Sequence, residues 1–228
     1  MPKPLVIAHR GDSSRALENS REAFRLAMSI PVDMIEFDVR KSRDNILYVM
    51  HDERTGRTCP SDISVDKSMS DDIAKVRLRN GEPVPTLDDV LGLIEGKVGL
   101  NIEVKSKGAG ALAASRLTAA GYRGELLISS FKEAEVLAAR RVAPRLAVAG
   151  IFDVFAPSEV TAYGTKEYTV ISLNRRTVTR ELVASLHERG IKVYVWTVDD
   201  EPEMRKFIEW GVDGIYSNRP VVLKKLLA

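Results

Sequence analysis

Short apolar runs rich in β-branched residues alternate with segments of helical periodicity along almost the whole chain. That alternation is the pattern of parallel βαβ units. The strand runs are Leu5–His9, Met34–Val39, Val98–Val104, Glu125–Ser129, Arg145–Ile151, Tyr168–Leu173, Lys192–Thr197 and Gly214–Tyr216. The helical segments are Ser20–Ser29, Thr86–Glu95, Ala109–Ala120, Lys132–Val142, Thr177–Arg189 and Glu201–Trp210, with a closing helix from Pro220 to Leu227. Ser20 and Thr177 read as N-caps, Thr86 opens a helix after Pro85, and Gly121, Gly190 and Gly211 stand where helices should stop. Strands and helices in this order predict an α/β fold, a closed (β/α)8 TIM barrel rather than an open sheet.

One stretch departs from the pattern. Asp38 and Val98 are about sixty residues apart, far more than a single βα connection needs. Ile46–Met50 reads as a further short strand, and the polar stretch of about 52–85 reads as a small insertion after the second strand, a cap over one end of the barrel. The 228 residues otherwise form one domain, 1–228, long enough to hide roughly 70% of the unfolded chain's surface on folding.

Charge narrows the function classes. With 34 Lys and Arg against 32 Asp and Glu, the formal net charge is only +2. No overall field draws the chain to nucleic acid or to an anionic membrane, and no basic stripe carries interleaved aromatics. An anionic substrate must be held locally. Cys59 is the one cysteine, which excludes an intrachain disulfide. The apolar run Leu5-Val6-Ile7-Ala8 is too short for a signal core or a membrane span, and the expectation is a cytoplasmic enzyme without stable membrane association.

Barrels of this class gather their chemistry at the C-terminal ends of the strands. There stand His9 and Arg10, Glu36 and Asp38, Glu103 and Lys105, and Trp196-Thr197. Residues two apart on a strand share a face, so Glu36 pairs with Asp38 and Glu103 with Lys105. Three carboxylates turned inward would repel one another unless a cation neutralised them, and hard oxygen ligands suit one divalent ion, Mg2+ or Ca2+. Zinc fits less well, since the histidines have no close ligand spacing. The bland alternative is strand-end acids in solvated ion pairs, although charges rarely sit among apolar strand residues without a partner.

His9 and His51 each end an apolar run and are the candidate general acid and base. Asp52 either orients His51 or is a simple turn acid. His187 reads as solvated surface. Arg10 and Lys105 are the cations suited to a phosphate, Arg10 through a bidentate grip. Gly11 lets the backbone turn tightly or pass close to a ligand.

The ordered set His9-Arg10-Gly11, Glu18-Asn19, Glu36-Phe37-Asp38, His51-Asp52, Glu103-Val104-Lys105 and Trp196-Thr197-Val198 closely resembles the glycerophosphodiester phosphodiesterase family. The likeness extends to Gly81–Leu87 and Gly211–Ile215. It implies metal-dependent hydrolysis of a small glycerophosphodiester to glycerol 3-phosphate and an alcohol. By position, Glu36, Asp38 and Glu103 resemble the metal ligands, His9 and His51 the acid/base pair, Arg10 and Lys105 the phosphate contacts, and Trp196 a wall beside the glycerol. Two positions depart from the family pattern: Ser20 replaces the usual threonine, and Ser217-Asn218 replaces Thr-Asp. The nucleophile is either water or the substrate's own hydroxyl, the latter giving a cyclic phosphate as in phosphatidylinositol-specific phospholipases C. The rival readings are a lysophospholipase D acting on lipid-bearing diesters, which needs an exposed apolar rim, and a non-catalytic barrel that binds phosphometabolites.

Overall fold

The computed structural model describes residues 3–156 and 168–228. Its strands are β1 (Leu5–His9), β2 (Met34–Lys41), β3 (Leu47–Val49), β4 (Gly99–Val104), β5 (Leu126–Ser130), β6 (Ala147–Phe152), β7 (Val170–Asn174), β8 (Lys192–Trp196) and β9 (Gly214–Ser217). The helices are α1 (Arg21–Met28), α2 (Ser70–Ile73), α3 (Leu87–Ile94), α4 (Ala109–Ala120), α5 (Glu133–Val142), α6 (Arg180–His187), α7 (Glu201–Trp210) and α8 (Pro220–Leu227). Neighbouring strands run β1-β9-β8-β7-β6-β5-β4-β2, and β1 also pairs with β2, so the parallel sheet closes into a barrel.

The eighth-plus-one strand is the short run expected at Ile46–Met50. It is β3, which folds back antiparallel on the end of β2, pairing Val39 with Val49 and Lys41 with Leu47. Val49 donates away from the pair, to the Pro85 carbonyl, while the next residue, Met50, donates to the Asp38 backbone carbonyl on β2.

Alternation along each strand sorts the side chains into layers. Val6, Ile35, Phe37, Val39, Leu100, Ile102, Val104, Val193, Val195 and Ile215 belong to the large core outside the barrel wall, which also takes in Phe24, Leu117, Leu182 and Phe207 from the helices. Inside, the N-terminal half is apolar, built from Ile7, Met34, Leu127, Ala149, Val170 and Tyr194. One step further along the same inward faces the residues become polar, and this layer carries the site.

Local signals explain the helix ends. Ser20 caps α1 by accepting from Ala23, and Thr86 with Asp89 forms a reciprocal capping box on α3. For α6 the cap is Thr179, not the expected Thr177, because the Thr177 hydroxyl donates back to the Asn174 carbonyl in the preceding turn. Gly121 and Gly211 end α4 and α7 in the left-handed conformation.

The excursion after β3 has its own small core of Tyr48, Met50, Cys59, Val65, Ile73, Val76, Leu78 and Val84. Two single 3-10 turns, Thr55–Arg57 and Val65–Lys67, and the one-turn helix α2 hold it together. Cys59 is buried there, and burial raises its thiol above the ordinary range. Among the described residues no helix is long and apolar enough to cross a membrane.

Candidate active site

Strand register brings the predicted residues together. His9 on β1 lies beside Glu36 on β2, and Asp38 on β2 lies beside Glu103 on β4. The result is a cavity of about 260 Å3 whose lining includes His9, Arg10, Glu36, His51, Glu103, Lys105 and Trp196. Asp38 sits just behind it, fully buried.

Glu36, Asp38 and Glu103 each offer a carboxylate oxygen, and these oxygens lie within 4.8 Å of one another. The electrostatics of the three differ. Burial, then the neighbouring Asp38 and Glu103, push the Glu36 carboxyl well up. Glu103 is raised to about 7 by burial and by Asp38, against the pull of Lys105. Burial would raise Asp38 too, but Arg10 and Lys105, helped by His51 and the Asn19 amide, hold it well below the usual carboxylate range. Glu36 Oε1 is buried without a hydrogen-bond partner, and Asp38 Oδ1 makes no aligned hydrogen bond, facing the Lys105 ammonium at 3.2 Å. Hard oxygen donors converging with lone pairs to spare fit a divalent cation.

Both histidines line the same cavity. His9 Nδ1 is 2.7 Å from Asn218 Oδ1, and its Nε2 is 3.9 Å from Glu36. Burial, then the Arg10 charge, lower the His9 pKa to about 4 despite the Asn218 bond. His51 Nδ1 is 2.5 Å from Asp52 Oδ1, so Asp52 orients the ring rather than serving as a simple turn acid. Burial also lowers His51, with Asp38 working the other way and Arg10 and Lys105 adding to the shift. His187 is far from the site; its Nε2 meets Asp213 at 2.7 Å on the outside of the barrel.

Both expected phosphate cations are engaged with acids. The Arg10 guanidinium donates to Glu18 at 2.8 Å and lies 3.2 Å from Asp38, while Lys105 bonds Glu103. Gly11 has φ +83°, but the close approach it permits is to α1, not to the cavity: a Cβ there would lie 2.7 Å from the Ala23 carbonyl carbon. Trp196 forms one wall, edge-on to Phe131 at 5.6 Å, and its indole Nε1 is buried without a partner. Its N–H is therefore available to a ligand oxygen.

The sequence profile of the glycerophosphoryl diester phosphodiesterase family matches residues 9–222. The chain belongs to this family. A glycerophosphodiester phosphodiesterase of Caldanaerobacter subterraneus subsp. tengcongensis is 32% identical over 99% of this chain and 98% of its own. The glycerophosphodiester phosphodiesterase structure from Agrobacterium tumefaciens superposes with a TM-score of 0.85 at 26% identity, covering 99% of this chain and all of that one. An Oleispira antarctica phosphodiesterase, solved with its product sn-glycerol-3-phosphate, shares the fold at a TM-score of 0.90, with 23% identity over 99% of this chain and 97% of that one. This chain is thus a glycerophosphodiester phosphodiesterase, a phosphoric diester hydrolase.

Several residues of the phosphodiesterase site escape a reading by strand ends alone. Asn218 holds His9 and Ser13 through its amide oxygen, while its amide nitrogen donates to Asp199. Asn19 holds Asp38 at 2.9 Å. The floor is a chain of neutral groups: Ser129 donates to Asn101, Asn101 to the Tyr216 hydroxyl, and Ser172 lies 3.2 Å from the same hydroxyl. The signal for Asn218 was its place directly after the last strand, where the family pattern has an acid. For the floor it was inward-facing polar residues in otherwise apolar strands.

Proposed function

We propose that this phosphodiesterase hydrolyses small glycerophosphodiesters to glycerol 3-phosphate and an alcohol, with one bound Mg2+ or Ca2+ and with His9 and His51 as the acid/base pair. The observation that carries this reading is the convergence of three carboxylates, two of them with uncommitted oxygens, at a cavity that both His9 and His51 line.

Glu36, Asp38 and Glu103 would hold the cation, which supplies charge neutralisation at the phosphoryl group. Arg10 and Lys105 border the same cavity and would add donors to the phosphate oxygens once it draws them from their acids. His9 is neutral at physiological pH because its pKa is about 4. The amide oxygen of Asn218 takes the Nδ1 proton, which leaves the Nε2 lone pair facing the cavity to accept a proton from the nucleophile. His51, its Nδ1 held against the Asp52 carboxylate, is assigned the proton donor to the leaving alkoxide, with Asp52 offsetting the charge of the ring once it has taken up the proton it passes on. Trp196 and Phe131 wall off the side where a glycerol would pack, with the indole N–H as donor to one of its hydroxyls. The complex of the Oleispira antarctica phosphodiesterase with its product sn-glycerol-3-phosphate supports the same product here.

Residues 1–228 act as one domain in this reading, with about 52–85 as a cap over one end of the barrel. One buried, unpaired thiol is in keeping with a cytoplasmic setting. Lipid-bearing diesters are the second reading, favoured by Phe131, which lines the cavity yet is 46% exposed. In the cap, Cys59 and Val65 are turned into its core, which leaves Met69 as its exposed large apolar side chain among the described residues. Incubating the protein with glycerophosphocholine and with a lysophospholipid, and following glycerol 3-phosphate against lysophosphatidic acid, separates the two. A five-membered cyclic glycerophosphate trapped at short times identifies attack by the substrate's own hydroxyl rather than by water.

A further inference from the structure

Arg57 lies in the cap, on the first 3-10 turn, and its guanidinium is shared between two acids. Nε donates to Asp52 at 2.5 Å, while Nη1 and Nη2 grip both oxygens of Glu18 at 2.8 Å each. Asp52 has its other oxygen on His51 Nδ1, and Glu18 also accepts from Arg10. The turn that carries Arg57 is itself pinned, with Arg79 donating to the carbonyls of Gly56 and Arg57. A continuous chain of charged hydrogen bonds therefore runs from His51, through the cap, to Arg10, and both of these residues line the cavity.

We infer that Arg57 is a positioning residue: anchored on Glu18, it fixes the Asp52 carboxylate against His51 Nδ1 and so sets the ring tautomer that leaves Nε2 facing the substrate. An exposed arginine in a surface ion pair contributes little, but a planar fork that is bidentate to one acid and bonded to a second is a network with defined geometry. Asp52 has no other cation among the described residues, and its side chain is about one third exposed. Without Arg57 that carboxylate is free to turn to water, and the neutral imidazole loses the acceptor that keeps its proton on Nδ1. Lysine is a point charge that can serve Asp52 or Glu18 but not both in the same geometry.

The test compares wild type, Arg57→Ala and Arg57→Lys, each checked for folding by circular dichroism. Protein labelled with 15N-histidine has only three imidazoles to assign, and His51→Gln identifies the relevant one. The expected result at neutral pH is a His51 Nδ1–H form in the wild type and a mixture of tautomers in Arg57→Ala. With glycerophosphocholine, kcat of that variant falls roughly 10- to 100-fold, the range for lost outer partners of a site, while KM stays within about twofold. Arg57→Lys recovers part of both readouts, and it carries the test if Arg57→Ala does not fold. A wild-type tautomer in a folded variant overturns the inference whatever the rate does, and a raised KM with unchanged kcat overturns it in favour of a role in shaping the pocket. The kinetic arm rests on the reaction proposed above. If wild-type protein turns over no glycerophosphodiester, that reaction fails, and the tautomer comparison still decides the role of Arg57.

Discussion

Asn218 accepts from His9 Nδ1 at 2.7 Å across 209 positions of sequence, joining the last barrel strand to the first. The amide cannot be flipped, because its nitrogen donates to Asp199 at 2.6 Å. His9 is thereby held with its proton on Nδ1 and its lone pair toward Glu36. Asn218→Ala is expected to lower kcat by about 10-fold or more with a small change in KM, as for loss of a group that orients a catalytic ring. Steady-state kinetics on glycerophosphocholine measures this, and an unchanged kcat removes Asn218 from the positioning of His9.

The barrel itself was legible because each strand has an apolar outer face and an inner face whose polarity changes along its length. Glu36, Asp38, Glu103 and Lys105 stood out by their two-residue spacing on such strands. The register that sets His9 beside Glu36 was not legible, since it depends on how neighbouring strands slide. Arg57 was hidden among the many charges of the cap: only the folded path of the excursion brings it to Asp52 and Glu18. Thr177 and Thr179 are equally good capping residues by type, and the competing turn at Asn174 decided between them. Gly11 was readable as a tight turn or a close approach to a ligand, but its close neighbour proved to be Ala23.

Loss of either proposed proton carrier should be severe. His9→Gln and His51→Gln are each expected to reduce kcat by about 10² to 10⁴ while leaving the thermal transition close to that of the wild type. Circular dichroism melts alongside turnover check the pair. Folded variants with wild-type rates contradict the acid/base assignment.

The pH dependence of stability follows from the carboxylate cluster. Glu103, raised to about 7, and Glu36, also raised, favour the proton in the metal-free fold. Their contribution is present below the unfolded carboxylate range and is lost as pH rises through about 7. His9, lowered to about 4, works oppositely: its contribution is present above its ordinary pKa and is lost as pH falls toward 4. His51, also lowered, adds to the histidine side, but the imidazoles of the unfolded chain give up their protons around their ordinary 6.5 while the raised carboxyls of the fold still hold theirs toward 7, so the metal-free protein is less stable at pH 8 than at pH 6. A bound cation replaces those protons, so the gain in Tm on adding Mg2+ or Ca2+ should grow over the same interval. Scanning calorimetry with EDTA and with metal reads both; a metal increment independent of pH contradicts this account of the cluster.

Gly11→Ala is predicted to destabilise the fold rather than to alter the chemistry. The positive φ alone costs about 1–3 kcal/mol for a residue with a side chain, before the contact with Ala23 is counted. In a chain of this size each kcal/mol lowers Tm by about 2–4 °C. Thermal melts of the variant check it, and a Tm equal to that of the wild type shows that α1 can move aside.

Glu36, Asp38 and Glu103 are proposed to hold a cation needed for diester hydrolysis. The most direct test is release of glycerol 3-phosphate from glycerophosphocholine by EDTA-treated protein, before and after Mg2+ or Ca2+ is restored, for the wild type and for Glu36→Gln. The account predicts no release with EDTA, recovery with one of the two ions in the wild type, and no recovery in the variant. Undiminished release in EDTA, or a Glu36→Gln variant that matches the wild type with metal restored, would contradict it.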